Sequence, residues 1–227
     1  FDRAKEALEE SLGKGQFFVF LPTQLREPAV KSWMLEEVNS LRAEFSLLMT
    51  SHHPSAHHNA RLAAKALDGV IIFPKETLSL NETIGKRTTT RGFLPAPVLI
   101  NERRDLRVGG GICPVATAVF VAAAKAGLEI VERHPHSRLV RYAQPGLDAT
   151  LNYPNKDLKI RNPTPIPVVL RVKVVGRKVL VQVFGTSLRE PVRLTVKKRK
   201  SQKFLQAVTE RVWGGRRETI ARSRYRL

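Results

Sequence analysis

The stretch Arg107–Gly127, RVGGGICPVATAVFVAAAKAG, decides the fold that we predict for this chain. Three glycines, Gly109 to Gly111, come just before the only cysteine, Cys113, and a run of small apolar residues follows it. Pro114 suits the first turn of a helix, where its missing N–H costs nothing, and Gly127 suits the C-terminal cap. The stretch therefore predicts a glycine loop leading into a buried helix that begins at Cys113.

The position of Cys113 supports two interpretations. The free N–H groups and the dipole at a helix N-terminus favour a thiolate or a bound anion, which makes Cys113 a candidate nucleophile. Free cysteine is also among the most buried residue types, and glycines let backbones approach closely. The same residues therefore fit a packed core helix with no chemical role.

The segments after this helix indicate the fold class. They are short, rich in β-branched residues and separated by Pro, Gly and Asn. Such segments predict strands: Leu128–Arg133, Leu139–Tyr142, Ala149–Tyr153, Leu158–Arg161, Pro167–Val174 and Lys178–Phe184. A helix followed by antiparallel strands is the α+β pattern. We predict an α+β fold in which the Cys113 helix packs, centrally and buried, on an antiparallel sheet.

The sequence predicts three parts: a truncated αβ piece at 1–48, the main domain at 49–187 and a basic, β-rich tail at 188–227. In the first part, the pattern favours a strand at Gln16–Leu21 and a helix at Val30–Leu41. The tail ends in a predicted hairpin around Gly214 and Gly215. Because the chain begins at Phe1, we expect a piece of a longer protein whose export signal or anchor is missing.

The charge of the chain favours anionic partners. There are 39 Lys and Arg against 20 Asp and Glu, a net charge of +19. The segment Lys197–Leu227 holds eleven of these basic residues and only two glutamates. Such a balance attracts nucleic acid, an anionic membrane surface or a phosphate-bearing polymer. Nucleic acid is the weakest of these partners, because no nucleic-acid motif accompanies the charge.

Several stretches of the chain, in family order between Asn59 and Gly185, resemble the VanW family, which is named after an accessory protein of vancomycin resistance clusters. They are NARLAAKALDGVIIFPKETLSLNETIGKRT, RGFLPAPVLIN, GGGICPVATAVF, AGLEIVERHPHSRLVRY, PGLDATLNYPNKDLKIRN and PIPVVLRV. Residues 1–48 resemble the end of a peptidoglycan-binding domain that often precedes VanW domains.

The resemblance implies an extracytoplasmic bacterial protein of the cell envelope, membrane-anchored in its full-length form. It implies peptidoglycan or another anionic cell-wall polymer as the partner, and the basic tail adds an anionic membrane surface. The chain departs from the family pattern, Cys-Gln followed by Val-Ser-Thr, at Pro114 and Ala116. A glutamine beside the cysteine could serve as an oxyanion donor, and this chain has Pro114 there. The departure therefore favours a binding module without catalysis.

The order of Cys113, then His134 or His136, then Asp148 weighs toward an enzyme. In papain-like and transglutaminase-like enzymes a cysteine opens a helix, and a histidine and an acid follow on neighbouring strands. We therefore predict a thiol-dependent hydrolase or transferase with a Cys-His-Asp site. The alternative is that the stretch around the two histidines is a turn whose polar side chains bond the backbone.

Other polar residues are candidates for the same cleft. Glu76 and Glu82 could act as general acids on a glycan bond, or Glu82 could form an ion pair with a nearby arginine. The predicted ligand-binding residues are Gly109, Gly110, Gly111, Arg87, Arg91 and Thr117. Four histidines between His52 and His58 lack regular ligand spacing, so we predict no metal and no cofactor.

Overall fold

The computed structural model describes residues 2–15, 32–100 and 103–227, and the chain divides into two compact units, 1–31 and 32–227. In the first unit the structure describes one helix, α1 (Asp2–Gly13). Its exposed surface carries i,i+4 pairs of lysine and glutamate, which support a short helix. The strand predicted at Gln16–Leu21 lies outside the described residues.

The second unit holds four α-helices, one short 3-10 helix (Thr89–Arg91) and twelve strands among its described residues. The helices are α2 (Ser32–Glu36), α3 (Pro54–Leu67), α4 (Leu80–Ile84) and α5 (Cys113–Lys125). The strands are β1 (Ser40–Leu48), β2 (Val70–Ile72), β3 (Thr77–Ser79), β4 (Pro95–Ile100), β5 (Arg103–Val108), β6 (Glu129–Arg133), β7 (Leu158–Arg161), β8 (Val168–Val175), β9 (Lys178–Gly185), β10 (Arg193–Lys200), β11 (Phe204–Trp213) and β12 (Arg216–Arg226).

The strands form four antiparallel sheets. Their orders are β1-β9-β8-β2, β3-β7-β6, β4-β5 and β10-β11-β12. In the first sheet β8 and β9 form a hairpin around Gly176, and β1 pairs along the free side of β9 from Ser40 to Leu48. With helices packed on antiparallel sheets, the fold is α+β, as the sequence predicted.

Helix α5 is the centre of the core. Every residue from Pro114 to Ala124 is buried, because alanine and valine on all sides let strands approach closely. The helix packs against β1 and β9, against β6 and β7, and against α3. The predicted central, buried cysteine helix is thus confirmed, and its first residue, Cys113, lies at the edge of this core.

The structure differs from the expected secondary structure at two places. Where we predicted a helix over Val30–Leu41, the described residues form the short α2 and then β1. Pairing of β1 with β9 outweighs the local helical spacing. The segments Leu139–Tyr142 and Ala149–Tyr153, predicted as strands, are turns and extended backbone with isolated bridges nearby.

Candidate active site at the start of the cysteine helix

The three glycines before α5 allow close packing at the start of the helix. Gly109 and Gly111 have positive φ values of 85° and 96°. A Cβ on Gly110 would lie 2.5 Å from the Ala96 carbonyl oxygen, and one on Gly111 would lie 2.7 Å from Ala56. The loop is therefore packed against β4 and α3, which fixes where the helix begins.

Cys113 lies at the N-terminus of α5, partly buried. Its thiol lies 3.8 Å from the carbonyl oxygen of Leu151. The backbone N–H of Cys113 donates to no residue in the described part of the chain. A free N–H at a helix start can bind the oxyanion that forms when a neighbouring nucleophile attacks a carbonyl.

His136 and Asp148 form a hydrogen-bonded pair beside this thiol. Nδ1 of His136 lies 2.6 Å from Oδ2 of Asp148, and the backbone N–H of His136 donates to the same oxygen at 2.8 Å. The Tyr142 hydroxyl lies 3.3 Å from Nε2 of His136. With Nδ1 held by the carboxylate, Nε2 is the nitrogen available for proton exchange with the thiol.

The thiol and the imidazole shift each other's pKa. Burial would raise the pKa of the Cys113 thiol, but the hydrogen bond and charge of His136, with a contribution from Arg87, lower it below its ordinary value. Burial would lower the pKa of His136, but Asp148 and the Cys113 thiolate raise it to about 9. The thiolate and the imidazolium therefore stabilise each other in their charged forms.

Asp148 is fixed by residues that the sequence did not single out. Its Oδ1 accepts from Arg133 Nη2 at 2.9 Å and from the Tyr225 hydroxyl at 2.5 Å. Arg133 also donates to the Asp148 carbonyl at 2.6 Å and to Ser223. Burial opposes ionisation of Asp148, but His136, Arg133 and Tyr225 lower its pKa, so the carboxylate stays charged.

Tyr142 borders His136, and Thr117 bonds the backbone of the residue after Asp148. Thr117 lies one turn after Cys113 on α5, is fully buried, and accepts from the Ala149 backbone N–H at 3.0 Å. This contact fixes the backbone next to Asp148. Burial and the charges of Cys113 and Asp148 raise the pKa of Tyr142 well above its ordinary value, so its phenol stays neutral.

His134 lies in a different setting from His136. Its Nε2 lies 2.9 Å from Oε1 of Glu132, and Glu132 also pairs with Lys159. The side chain of His134 is 37% exposed, against 20% for His136. Of the two histidines that the sequence offered, the structure thus brings His136 to the thiol.

The two glutamates lie apart from this group. Glu76 closes a turn, with its Oε2 accepting from the Phe73 N–H at 2.8 Å. Glu82 is exposed in the first turn of α4. Within the described residues neither carboxylate shares a hydrogen bond with the Cys113, His136 or Asp148 side chain.

The two predicted arginines differ in burial. Arg87 is partly buried and donates from Nη2 to Asn81 Oδ1 at 2.8 Å, and its charge acts on Cys113. Arg91 is exposed and donates to the Lys86 carbonyl at 2.9 Å. Arg87 is therefore the more enclosed of the two, and its charge helps to lower the pKa of the thiol.

Two histidines in the first half of α3, His57 and His58, bond backbone carbonyl groups. Nε2 of His57 lies 2.7 Å from the Ser51 carbonyl oxygen, and Nε2 of His58 lies 2.8 Å from that of Gly92. Within residues 2–15, 32–100 and 103–227, no group of three His, Cys, Asp or Glu side chains is placed to share a metal ion.

Comparison with known proteins identifies the family. The family model described as VanW like protein matches residues 55–184, more than half of the chain. The chain belongs to the VanW family. The VanW match covers α3 to β9 and includes Cys113, His136 and Asp148.

Two curated proteins share this VanW region. The chain is 33% identical over 177 residues to the uncharacterized protein YoaR of Bacillus subtilis (strain 168), covering 78% of this chain and 58% of YoaR. It is 29% identical over 133 residues to the vancomycin B-type resistance protein VanW of Enterococcus faecalis (strain ATCC 700802 / V583), covering 56% of this chain and 48% of that protein. The chain thus spans about half the length of these relatives. No solved structure matches it.

Proposed function

We propose that this chain is a bacterial cell-envelope protein that acts on peptidoglycan by acyl transfer through Cys113, His136 and Asp148. The observation that carries the proposal is the buried Asp148–His136 pair at the thiol of a helix-opening cysteine. The setting at the envelope is supported by membership of the VanW family and by similarity to a protein named for vancomycin resistance. Within the described residues, no helix is long and apolar enough to cross a membrane.

The geometry supports a thioester mechanism. The Cys113 thiolate attacks the carbonyl carbon of an amide in the stem peptide, and the carbonyl π electrons move onto oxygen beside the Cys113 N–H. When the tetrahedral intermediate collapses, the C–N bond breaks and Nε2 of His136 gives its proton to the leaving amine. An acyl thioester on Cys113 remains.

The second half of the reaction frees the thiolate. Water or an amine attacks the thioester, and His136 takes the proton of the attacking group as the C–S bond breaks. Water would make the protein a hydrolase, and an amine of another strand would make it a transferase. Asp148 keeps the imidazole oriented and stabilises its charge through both halves.

A mass-spectrometric assay tests this proposal. The folded protein is incubated with purified peptidoglycan fragments that carry stem peptides, and both the protein and the fragments are weighed. We expect an acyl adduct on Cys113 and altered fragments with the native protein, and neither with Cys113→Ala. An absence of adduct and product with the native protein, in fragments of every stem-peptide length, would contradict acyl transfer.

A second candidate function is binding of an anionic polymer by the C-terminal sheet. The cross-strand register aligns Arg199, Gln206 and Arg224 in one row and Lys197, Val208 and Arg222 in the next. These basic side chains are exposed on β10 and β12, on both sides of β11. Glu210 neutralises part of this charge through Lys197 and Arg217. The basic residues of β10 and β12 thus form two parallel lines of positive charge, which suit a phosphate-bearing wall polymer or an anionic membrane surface.

Point substitutions test polymer binding better than removal of the tail, because Tyr225 of the tail bonds Asp148. We expect Arg222→Gln with Arg224→Gln to elute from a teichoic acid column at lower salt than the native protein, since fewer counterions are released on binding. Lys65→Gln with Lys178→Gln removes two exposed charges elsewhere and should elute like the native protein. Equal elution of both pairs would mean that the sheet is only a solvated surface.

A further inference from the structure

A groove lies on the exposed face of the C-terminal sheet, beside the segment that carries His134 and His136. It has a volume of about 480 Å³, runs over β11 and β12, and is also lined by Pro135. The segment after Pro135 follows the outer edge of β12, where the Arg226 N–H donates to the Ser137 carbonyl oxygen at 2.8 Å. Because Pro135 is bonded to His136, the groove begins one residue from the imidazole beside the thiol.

Two arginines of β12 give the groove its charge. Arg222 and Arg224 are two positions apart on the strand, so both side chains lie on the exposed face, with Cα atoms about 7 Å apart. The guanidinium carbon of Arg224 lies 3.8 Å from the centre of the Phe204 ring, which holds that side chain in place. Within the described part of the chain, neither arginine is in an ion pair with Asp or Glu. Their guanidinium donors are therefore available to an anion.

The opposite face of β12 supports the candidate active site. The Ser223 hydroxyl accepts from Arg133 Nη1 at 2.6 Å, and the Tyr225 hydroxyl donates to Asp148 at 2.5 Å. Ser223 and Tyr225 are both buried. Successive residues of β12 thus alternate between the basic groove and the carboxylate that orients His136. One strand therefore holds the groove next to the Cys-His-Asp group.

We propose that this groove is a substrate subsite: it binds a phosphate-bearing strand of the cell-wall polymer while the peptide of the same polymer lies at Cys113. The inference rests on the proposed function, and it makes polymer binding and acyl transfer two parts of one site. Arginine suits phosphate because its planar guanidinium donates two parallel hydrogen bonds. A groove bordered by Pro135 accepts a single strand, whereas a membrane is flat and would contact only the residues at its rim.

The dependence of acyl transfer on wall phosphate tests this inference. Peptidoglycan fragments that carry teichoic acid are compared with the same fragments after hydrofluoric acid has removed the phosphate. We expect the native protein to have a lower KM for the phosphate-bearing fragments. Arg222→Gln with Arg224→Gln should raise that KM about tenfold, toward the value for the dephosphorylated fragments, with little change in kcat. A merely structural role of the two arginines would lower kcat as well.

Two further variants identify the cause of such a change. Lys65→Gln with Lys178→Gln removes two exposed charges outside the groove and should keep the native KM for both kinds of fragment. Arg222→Lys with Arg224→Lys keeps the charge but not the planar group, so it should recover part of the loss. Added salt should reduce the advantage of the phosphate-bearing fragments with the native protein, because fewer counterions are then released on binding.

The outcomes separate this inference from the proposed function. If the native protein forms no adduct on Cys113 with either kind of fragment, the proposed function fails and the inference fails with it. If adducts form but the native KM is the same with and without phosphate, only the inference is overturned. A native KM of the glutamine pair for phosphate-bearing fragments also overturns it, even where that pair binds vesicles of anionic lipid less well. If the glutamine pair does not fold by circular dichroism, the two KM values of the native protein decide.

Discussion

The protein has two histidine–carboxylate pairs, and their histidines, His134 and His136, lie two residues apart in the chain. The two pairs differ in burial and in hydrogen bonding. His136 and Asp148 have side chains 20% and 1% exposed, and the carboxylate accepts four hydrogen bonds. His134 and Glu132 are 37% and 30% exposed, and the carboxylate shares its charge with Lys159. The first pair faces Cys113, and the second lies at the surface.

The difference shows what allows such a pair to lower the pKa of a neighbouring thiol. Water screens the charges of the His134 pair, so it contributes little to its surroundings. The His136 pair is enclosed and its carboxylate is fixed by Arg133 and Tyr225, so its field acts on the thiol with little screening. A histidine next to a carboxylate is therefore not enough to predict a pair that shifts the pKa of a thiol. The carboxylate must also be buried.

Removing the carboxylate of each pair gives the largest expected contrast. Asp148→Asn leaves the Arg133 guanidinium, 2% exposed, without its counterion. We expect a loss of about 3–5 kcal/mol in the free energy of unfolding, as for other broken buried pairs. Glu132→Gln at the exposed pair should cost less than about 1 kcal/mol. Urea denaturation of both variants makes the comparison, and similar losses for the two would contradict it.

The pH dependence of stability should report the charge of His136. The pKa of His136 is raised to about 9, so protonated His136 stabilises the fold fully below its unfolded pKa of about 6.5. This contribution is lost as pH rises through about 9, with a slope of at most about 1.4 kcal/mol per pH unit. The native protein should therefore lose its advantage over His136→Ala between these values. Urea unfolding of the two proteins at several pH values measures this loss, and a difference that stays constant would contradict it.

The hydroxyl of Tyr225 ties the C-terminal sheet to the site. It donates to Asp148 Oδ1 and accepts from the Gly146 N–H at 2.6 Å. Tyr225→Phe leaves both groups buried without this partner, so we expect a cost of about 1–3 kcal/mol. Tyr153→Phe is the matched control, because Tyr153 is 44% exposed and its ring is retained. Thermal unfolding of the two variants should differ clearly, and equal melting temperatures would show that the hydroxyl bonds are weak.

The reactivity of Cys113 should depend on one histidine only. With His136→Ala the thiol loses the group that lowers its pKa most, so alkylation by iodoacetamide at pH 7 should slow at least about tenfold. His134→Ala should alkylate at the native rate. Equal slowing by both substitutions would mean that the two pairs act as one site.

The sequence was sufficient for the parts of the fold that depend on local pattern. The small apolar run after Cys113 predicted the buried helix, and the β-branched segments predicted β6 to β9. The sequence did not predict the parts of the fold that depend on pairing between distant segments. The strand β1 pairs with β9, at least 130 residues away, and the local pattern predicted no strand over Ser40–Leu48.

The candidate site was predictable only in outline. The order Cys113, His136, Asp148 named three residues that the structure brings together, but spacing gave no reason to prefer His136 to His134. Arg133 was indistinguishable from an ordinary strand residue, and Tyr225 lies 77 residues after the carboxylate that it bonds. The hydrogen-bond partners of a buried carboxylate come close to it only in the folded chain, so no periodic pattern in the sequence marks them.

The most direct test of this account is the protonation of His136 in the folded protein, followed by NMR through its ring carbon shift as pH is raised. The account predicts that His136 remains an imidazolium through neutral pH and titrates near pH 9, while His134 serves as the reference in the same spectra. In Cys113→Ala the midpoint of His136 should fall, because its thiolate partner is gone. A midpoint for His136 near 6.5 in the native protein, unchanged in Cys113→Ala, would contradict the thiolate–imidazolium pair.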